Sequence, residues 1–278
     1  MNNPSTEGGA RVSIIIVTYN SRDEIGTCLD SIYQHTRGVA YEIIAVDNSS
    51  NDGTAAFIRQ AYPDVIVIEN PDNSGFGAAN NIGISRSRAE FVFLLNPDTV
   101  LKSNAVRILH DCLADPAHAD TAVCGAQLYS TDGSRAFSHD YFPSELQRRK
   151  RARAGQPERQ VLSRNSGIEI IDGFVSGAAF FARRSALDEA GLFDEDFFLY
   201  YEETELCFRL MKKGLKIAVV PEAGIIHIGE ASFQQTGRRH KGIFGRSERL
   251  FYKKCYGMFS AEYLYITYMR YARRVFRR

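Results

Sequence analysis

The chain has 278 residues, is 44% hydrophobic and 24% charged, and carries a net charge of +1, a profile of an ordinary globular protein with one large domain or two small ones. Its five cysteines, Cys28, Cys112, Cys124, Cys207 and Cys255, show no CxxC spacing, which speaks against a disulfide framework and a zinc knuckle and for a reducing, cytoplasmic setting. No apolar run is long enough for a membrane-spanning helix, and residues 1–10, polar and Gly-rich, lack the layout of a signal peptide and read as a disordered lead-in.

Arg11–Thr18 (RVSIIIVT) is a β-branched run and predicts a central parallel strand. Ser21 and Glu24 form a candidate capping box, and Ile25, Cys28, Leu29, Ile32 and Tyr33 follow helical spacing behind it. Tyr41–Asp47 predicts the second strand, followed by a turn-rich loop and a short helix through Phe57 and Ile58. Val65–Glu69 is the third strand, and Asn73–Gly77 opens a helix carrying Asn80 and Asn81. Phe91–Leu95 is the fourth strand, and Ser103–Leu113 the next helix. This alternation predicts an α/β fold with a mostly parallel sheet and right-handed crossovers.

Ala122–Tyr129 is a further strand, and residues 130–165 read as a long polar insertion with a basic run at Arg148–Arg153. Strand character returns over Ile168–Ala182, with a short helix at Ser185–Ala190. An aromatic run, Phe197–Tyr201, leads into Glu202-Glu203-Thr204-Glu205 and a helix that Gly214 stops. Lys216–Val220 is expected to be a strand ended by Pro221, and Ile225-Ile226-His227 follows. Residues 236–278 predict a helical tail rich in aromatics and arginines. From Arg238 on there are twelve Lys/Arg and two Glu, which leaves 22 Lys/Arg against 31 Asp/Glu in the rest. A basic tail on an acidic body fits an anionic surface such as membrane headgroups, and equally a helix packed on the domain with a solvated basic face. Nucleic acid as partner is disfavoured by the acidic body and by the lack of a reading module.

Thr18-Tyr19-Asn20, Asp47-Asn48 and Asn96-Pro97-Asp98 each close a predicted parallel strand, so they converge on one sheet edge, where open α/β sheets bind ligands. Pro97 cannot join a ladder, so the strand must stop beside Asp98. Alone, Asp98 reads equally as a local turn cap. Neither GxGxxG nor GxxxxGK[ST] is present, so a diphosphate at this edge needs another neutraliser. A divalent cation on Asp98 would serve, with His227 as the second ligand. A structural histidine is the competing reading. Glu202, Glu203 and Glu205 suit either a helix dipole or a general base whose pKa nearby rings raise.

The stretches VSIIIVTYNS (Val12–Ser21), EIIAVDNSSNDGT (Glu42–Thr54), NSGFGAANNIGI (Asn73–Ile84), FVFLLNPD (Phe91–Asp98), FVSGAAFFARRSAL (Phe174–Leu187), FLYYEETELCFRLMKKG (Phe198–Gly214) and PEAGIIHIGEAS (Pro221–Ser232) resemble, in order, the family 2 glycosyltransferases with the GT-A fold, especially their bacterial rhamnosyltransferase branch. The resemblance covers residues 11–235. It implies an inverting transferase that moves a sugar, dTDP-rhamnose being the favoured donor, to a hydroxyl of a cell-surface polysaccharide or lipid-linked glycan. The alternative is a catalytically weak nucleotide-sugar-binding protein of the same fold. By the resemblance, Thr18, Tyr19, Asn20, Asp47, Asn48, Asp52, Asn80, Asn96 and Asp98 would bind the nucleotide-sugar. Asp98 and His227 would hold Mg²⁺ or Mn²⁺, Glu203 would be the base with Glu202 as the alternative, and the Gly177 region would shape the acceptor cleft. Peripheral contact with the inner face of the membrane would run through 236–278. Two departures stand out: Asn96 replaces the first acidic residue of the metal motif, and Glu203 replaces an aspartate.

Overall fold

The computed structural model describes residues 9–144, 153, 167–229 and 238–275. The lead-in over 1–8, nearly all of the RRKRAR run and residues 230–237 lie outside the described residues. The first half alternates as expected: β1 (Val12–Thr18), α1 (Ile25–His35), β2 (Tyr41–Asp47), α2 (Thr54–Ala61), β3 (Ile66–Glu69), α3 (Phe76–Arg86) and β4 (Phe91–Leu95). β5 (Thr99–Leu101), α4 (Ala105–Ala114), β6 (Thr121–Tyr129), β7 (His139–Tyr141), β8 (Glu169–Ile171), β9 (Gly173–Val175), β10 (Ala179–Arg183), α5 (Arg184–Ala190), α6 (Glu202–Lys212) and β11 (Lys216–His227) follow. α7 (Arg238–Phe251), a π-helical turn over Tyr252–Tyr256 and α8 (Ala261–Val275) complete the described chain.

Among the described residues the main sheet has nine strands, in the order β3-β2-β1-β4-β10-β6-β11-β5 with β8 beside β11. The β3-β2-β1-β4 side is wholly parallel, and β10 enters antiparallel between β4 and β6. Every residue of β1 is buried. Ile14 and Ile16 face one core, with Ile25, Leu29 and Leu109, and Ile15 and Val17 face the other, with Ile84, Phe180, Leu206 and Phe251. That two-sided burial is why the run lacks polar alternation. On the second face α3 lies close to the sheet: a Cβ on Gly83 would sit 2.4 Å from Ile15 Cγ2, so only glycine allows this approach.

Two local expectations need correction. No side-chain capping bond forms at Glu24, the N-cap of α1. The Ser21 carbonyl instead accepts from the Glu24 and Ile25 N–H groups, while its hydroxyl accepts from Tyr19 N–H. β11 also does not end at Pro221. The register against β6 jumps from Val220–Ala126 to Gly224–Gln127, so a bulge absorbs the proline, which cannot donate to the ladder, and the strand resumes to His227.

Candidate active site

The carboxyl edge of the parallel strands opens into a cleft lined by Tyr19, Asn20, Asn96, Pro97 and Asp98 on the strand side and by Asn73, Phe76, Phe198 and Leu199 opposite. All three polar strand ends meet there, though their side chains do different jobs. Tyr19 is 53% exposed on the rim. Asn20 has a left-handed φ of +54° and accepts from Asn51 N–H at 2.9 Å. Thr18 is fully buried and donates to Asp47 Oδ1 at 2.9 Å, while Asp47 Oδ2 accepts from Ser50 N–H at 2.9 Å. This pair therefore shapes the wall and the loop behind it.

Asn48 lines the cleft with its amide fully engaged. Its oxygen accepts from Asn70, the Ser74 N–H and the Ser74 hydroxyl, and its nitrogen donates to Asn73 Oδ1 and the Gly75 carbonyl. Asp52, just ahead of α2, accepts from the Thr54 N–H and hydroxyl and from Arg22 N–H. Slight burial pulls its carboxyl up, and these hydrogen bonds outweigh that and hold it below the usual range. Asn80 is buried within α3, donating to the Phe76 carbonyl at 3.0 Å.

β4 stops at Leu95, as Pro97 requires, and the chain turns at once into β5. β5 pairs antiparallel with the end of β11, placing Thr99 opposite His227, and Ile228 N–H donates to the Asp98 carbonyl at 2.9 Å. The pairing brings His227 Nε2 to 3.3 Å from Asp98 Oδ1 and 3.4 Å from Asn96 Nδ2. Asn96 Oδ1 and Asp98 Oδ1 are buried and lack a hydrogen-bond donor. Orphaned oxygens beside an imidazole suit a divalent cation. Among the described residues no cluster of three or more acidic, His or Cys groups gathers, so Asp98 and His227 would supply only part of a cation's shell. Cys28 lies beneath, 3.6 Å from the Asn96 carbonyl. Burial pushes its thiol up to about 12, so it packs as a neutral group.

Glu202 and Glu203 open α6. Tyr200 and Tyr201 precede them with φ of +69° and +71°, a conformation that costs on the order of 1–3 kcal/mol at each non-glycine residue. Glu202 is buried, and burial, then the charge of Glu203, pushes its carboxyl well above the usual range. Burial raises Glu203 too, offset in part by backbone N–H groups including that of Gly177. A Cβ on Gly177 would lie 3.2 Å from the Phe76 ring and 4.0 Å from Glu203 Cβ, so this glycine keeps the space beside Glu203 open. Glu205 faces away and binds Arg209 at 2.7 Å. The helix dipole alone would lower these carboxyls, so burial dominates at Glu202 and Glu203.

The roles of Asn73, Phe76, Phe198 and Leu199 were not assigned from sequence. Gly75 joins the two loops that carry them. Its φ is +90°, a Cβ there would lie 2.3 Å from the Phe198 carbonyl oxygen, and Phe76 N–H donates to that oxygen at 2.9 Å. The signal available was the Asn-Ser-Gly-Phe-Gly stretch, whose glycines mark a close backbone approach.

Among known proteins, the chain is 27% identical over 256 residues to an N-acetylglucosaminyl-diphospho-decaprenol L-rhamnosyltransferase of Mycobacterium tuberculosis, covering 86% of this chain and 82% of the relative. It is 27% identical over 231 residues to the low-salt glycan biosynthesis hexosyltransferase Agl10 of Haloferax volcanii, covering 78% of this chain and spanning 66% of the length of that protein. In three dimensions it resembles a mannosyltransferase of Pyrobaculum calidifontis solved with GDP-Man and Mn²⁺, with a TM-score of 0.60 at 16% identity, covering 88% of this chain and 64% of that one. The α/β architecture is accordingly the GT-A fold. Residues 13–191 match the model of Glycosyl transferase family 2, a stretch that includes the strand-end cluster around Asp98, and the chain belongs to that family.

Proposed function

We propose that the cleft transfers a sugar from a nucleotide-diphosphate donor, dTDP-rhamnose being favoured, to a hydroxyl of a cell-surface polysaccharide or lipid-linked glycan, with inversion at the anomeric carbon. The observation that carries the reading is the meeting of Asn96, Asp98 and His227 at the strand ends of the cleft, with Glu203 beside Gly177, which itself packs close to Phe76 of the cleft wall. The mycobacterial relative's name, a rhamnosyltransferase acting on a diphospho-decaprenol-linked sugar, supports the donor and acceptor class.

Tyr19 and Asn20 on the rim, with Asn48 and Asn73 beyond them, would receive the nucleoside. Thr18, Asp47 and Asp52 brace this wall by the hydrogen bonds described above, Asp47 would also meet the pyrimidine ring of the nucleotide, and Asn80 would lie close to the nucleotide-sugar. A divalent cation, Mg²⁺ or Mn²⁺, held by Asp98 and His227 would supply charge neutralisation at the diphosphate. Glu203 accepts the proton of the acceptor hydroxyl as that oxygen attacks the anomeric carbon and the bond to the diphosphate oxygen breaks. Its burial holds the carboxyl nearer working pH, which suits a general base. Glu202, which burial and the Glu203 charge raise more strongly, gives up its proton less readily than Glu203.

A thermal-shift screen of nucleoside diphosphates and nucleotide-sugars, with and without Mn²⁺, tests the donor site. A ligand at a hundred times its Kd stabilises by about 2.7 kcal/mol, so the melting temperature should rise by roughly 5–10 °C. Asp98→Ala should lose the Mn²⁺-dependent part of that shift. No shift with any nucleotide, or an Asp98→Ala protein that responds like the wild type, would contradict the site.

Membrane contact through the tail belongs to the same reading. No helix of the described residues is long and apolar enough to cross a membrane. Met258, Phe259, Leu264 and Tyr268 are exposed, Phe259 by 85%, within the most basic part of the chain, which suits an anionic interface. Flotation with anionic vesicles should carry the protein along at low salt and release it at high salt; the absence of flotation at low salt counts against the contact.

A further inference from the structure

The family match ends at residue 191, and beyond it α7 lies against the turn that delivers Glu202 and Glu203. Ser247, buried in the middle of α7, donates its hydroxyl to the Leu199 carbonyl at 2.8 Å. The Phe244 ring stands 5.7 Å from that of Tyr200 and 5.3 Å from that of Tyr201, and Phe251 stands 5.4 Å from Tyr201. Just beyond α7, Lys254 binds Asp194 and, at 2.6 Å, Asp196, so the loop is tied just ahead of the aromatic run as well as within it.

Consecutive left-handed tyrosines persist only where their surroundings over-determine them. Here the surroundings are α7. The turn they form has Phe198 and Leu199 in the cleft wall on one side and Glu202 and Glu203 on the other. Any relaxation of it would move both at once.

We infer that Ser247 is a positioning residue for the transfer reaction: through the Leu199 carbonyl, and with Phe244 and Phe251 packed on the tyrosines, it fixes the left-handed turn that sets Glu203 beside the cleft. The inference rests on the reading of Glu203 as the base. It makes α7 a support for the turn that carries Glu203.

The test uses the full chain with dTDP-rhamnose and Mn²⁺, compared across wild type, Ser247→Ala and Ser247→Thr. Ser247→Ala should lower kcat for donor hydrolysis about tenfold, since a small displacement of a catalytic group has a large effect. Binding of dTDP should stay unchanged, and the acid limb of the kcat profile should move to lower pH as water reaches Glu203. Ser247→Thr, which keeps the hydroxyl, should restore both. Hydrogen exchange over residues 198–205 should be roughly fivefold faster in Ser247→Ala, as expected for one lost hydrogen bond. An unaltered kcat and pH limb in a Ser247→Ala protein that still binds dTDP would overturn the inference, even if its melting temperature fell. If the wild type binds dTDP but never turns over, the reading of Glu203 fails instead. The exchange arm still judges the pin, and unaltered exchange over 198–205 overturns it.

Discussion

At the residue scale the site is defined by polar atoms that the fold leaves unsatisfied. Asn96 Oδ1, Glu202 Oε2 and Glu203 Oε2 are buried without a hydrogen-bond donor, each at a cost of about 1–3 kcal/mol, and Asp98 Oδ1 is buried with only the His227 imidazole, at 3.3 Å, beside it. Asn48, Asp47 and Asp52, by contrast, are hydrogen-bonded to the neighbouring loops. Glu202 makes the cost measurable. An ordinary glutamate titrates near about 4.3, and burial together with the Glu203 charge raises Glu202 well above that. With the folded pKa raised, the folded chain binds more protons than the unfolded one between the two values. The contribution is therefore full below the unfolded pKa and is lost as pH rises through the folded one. Glu202→Gln removes this titration. The variant is expected to be more stable than the wild type at neutral pH by about 1–3 kcal/mol, and its melting temperature should fall less between mildly acidic and neutral pH. Parallel pH profiles for the two proteins would refute it.

At the scale of elements, what was legible in the sequence was what has a period or a stop signal. β1, β2 and β4 are apolar runs ending in polar residues, and the structure keeps them to within a residue. Because parallel strands share one edge, the meeting of Asn20, Asn48 and Asp98 followed from strand order alone. The proximity of His227 to Asp98 did not. It depends on the three-residue β5 pairing with the far end of β11, a contact between segments more than a hundred residues apart with no local signature. Pro221 hid the path of β11, because a bulge that carries a proline past a ladder reads, in sequence, as a strand end. The wall formed by Phe76, Phe198 and Leu199 was hidden for a similar reason: a glycine at 75 advertises a close approach but not which backbone approaches. The Ser21–Glu24 pattern suggested a capping box where backbone bonds do the work.

At the scale of the whole molecule, the sheet divides the labour. Its parallel side supplies the strand ends of the cleft, β11 brings His227 to Asp98 at that edge, and α6 opens with the paired glutamates, Glu203 lying beside Gly177. The tail, for which membrane contact and packing on the domain were equal expectations, packs on that arrangement through α7, whose Phe251 and the following Tyr252 belong to the second core. Phe244 and Phe251 of α7 pack on Tyr200 and Tyr201, the turn that precedes Glu202. The central claim is that these halves enclose a transferase centre with Glu203 as its base, and it is most directly tested by comparing wild type and Glu203→Gln for nucleoside diphosphate release from dTDP-rhamnose with Mn²⁺. The variant should lose turnover by about 10²–10⁴-fold, the usual weight of a general base, while binding dTDP as the wild type does. Near-wild-type turnover by Glu203→Gln would contradict it.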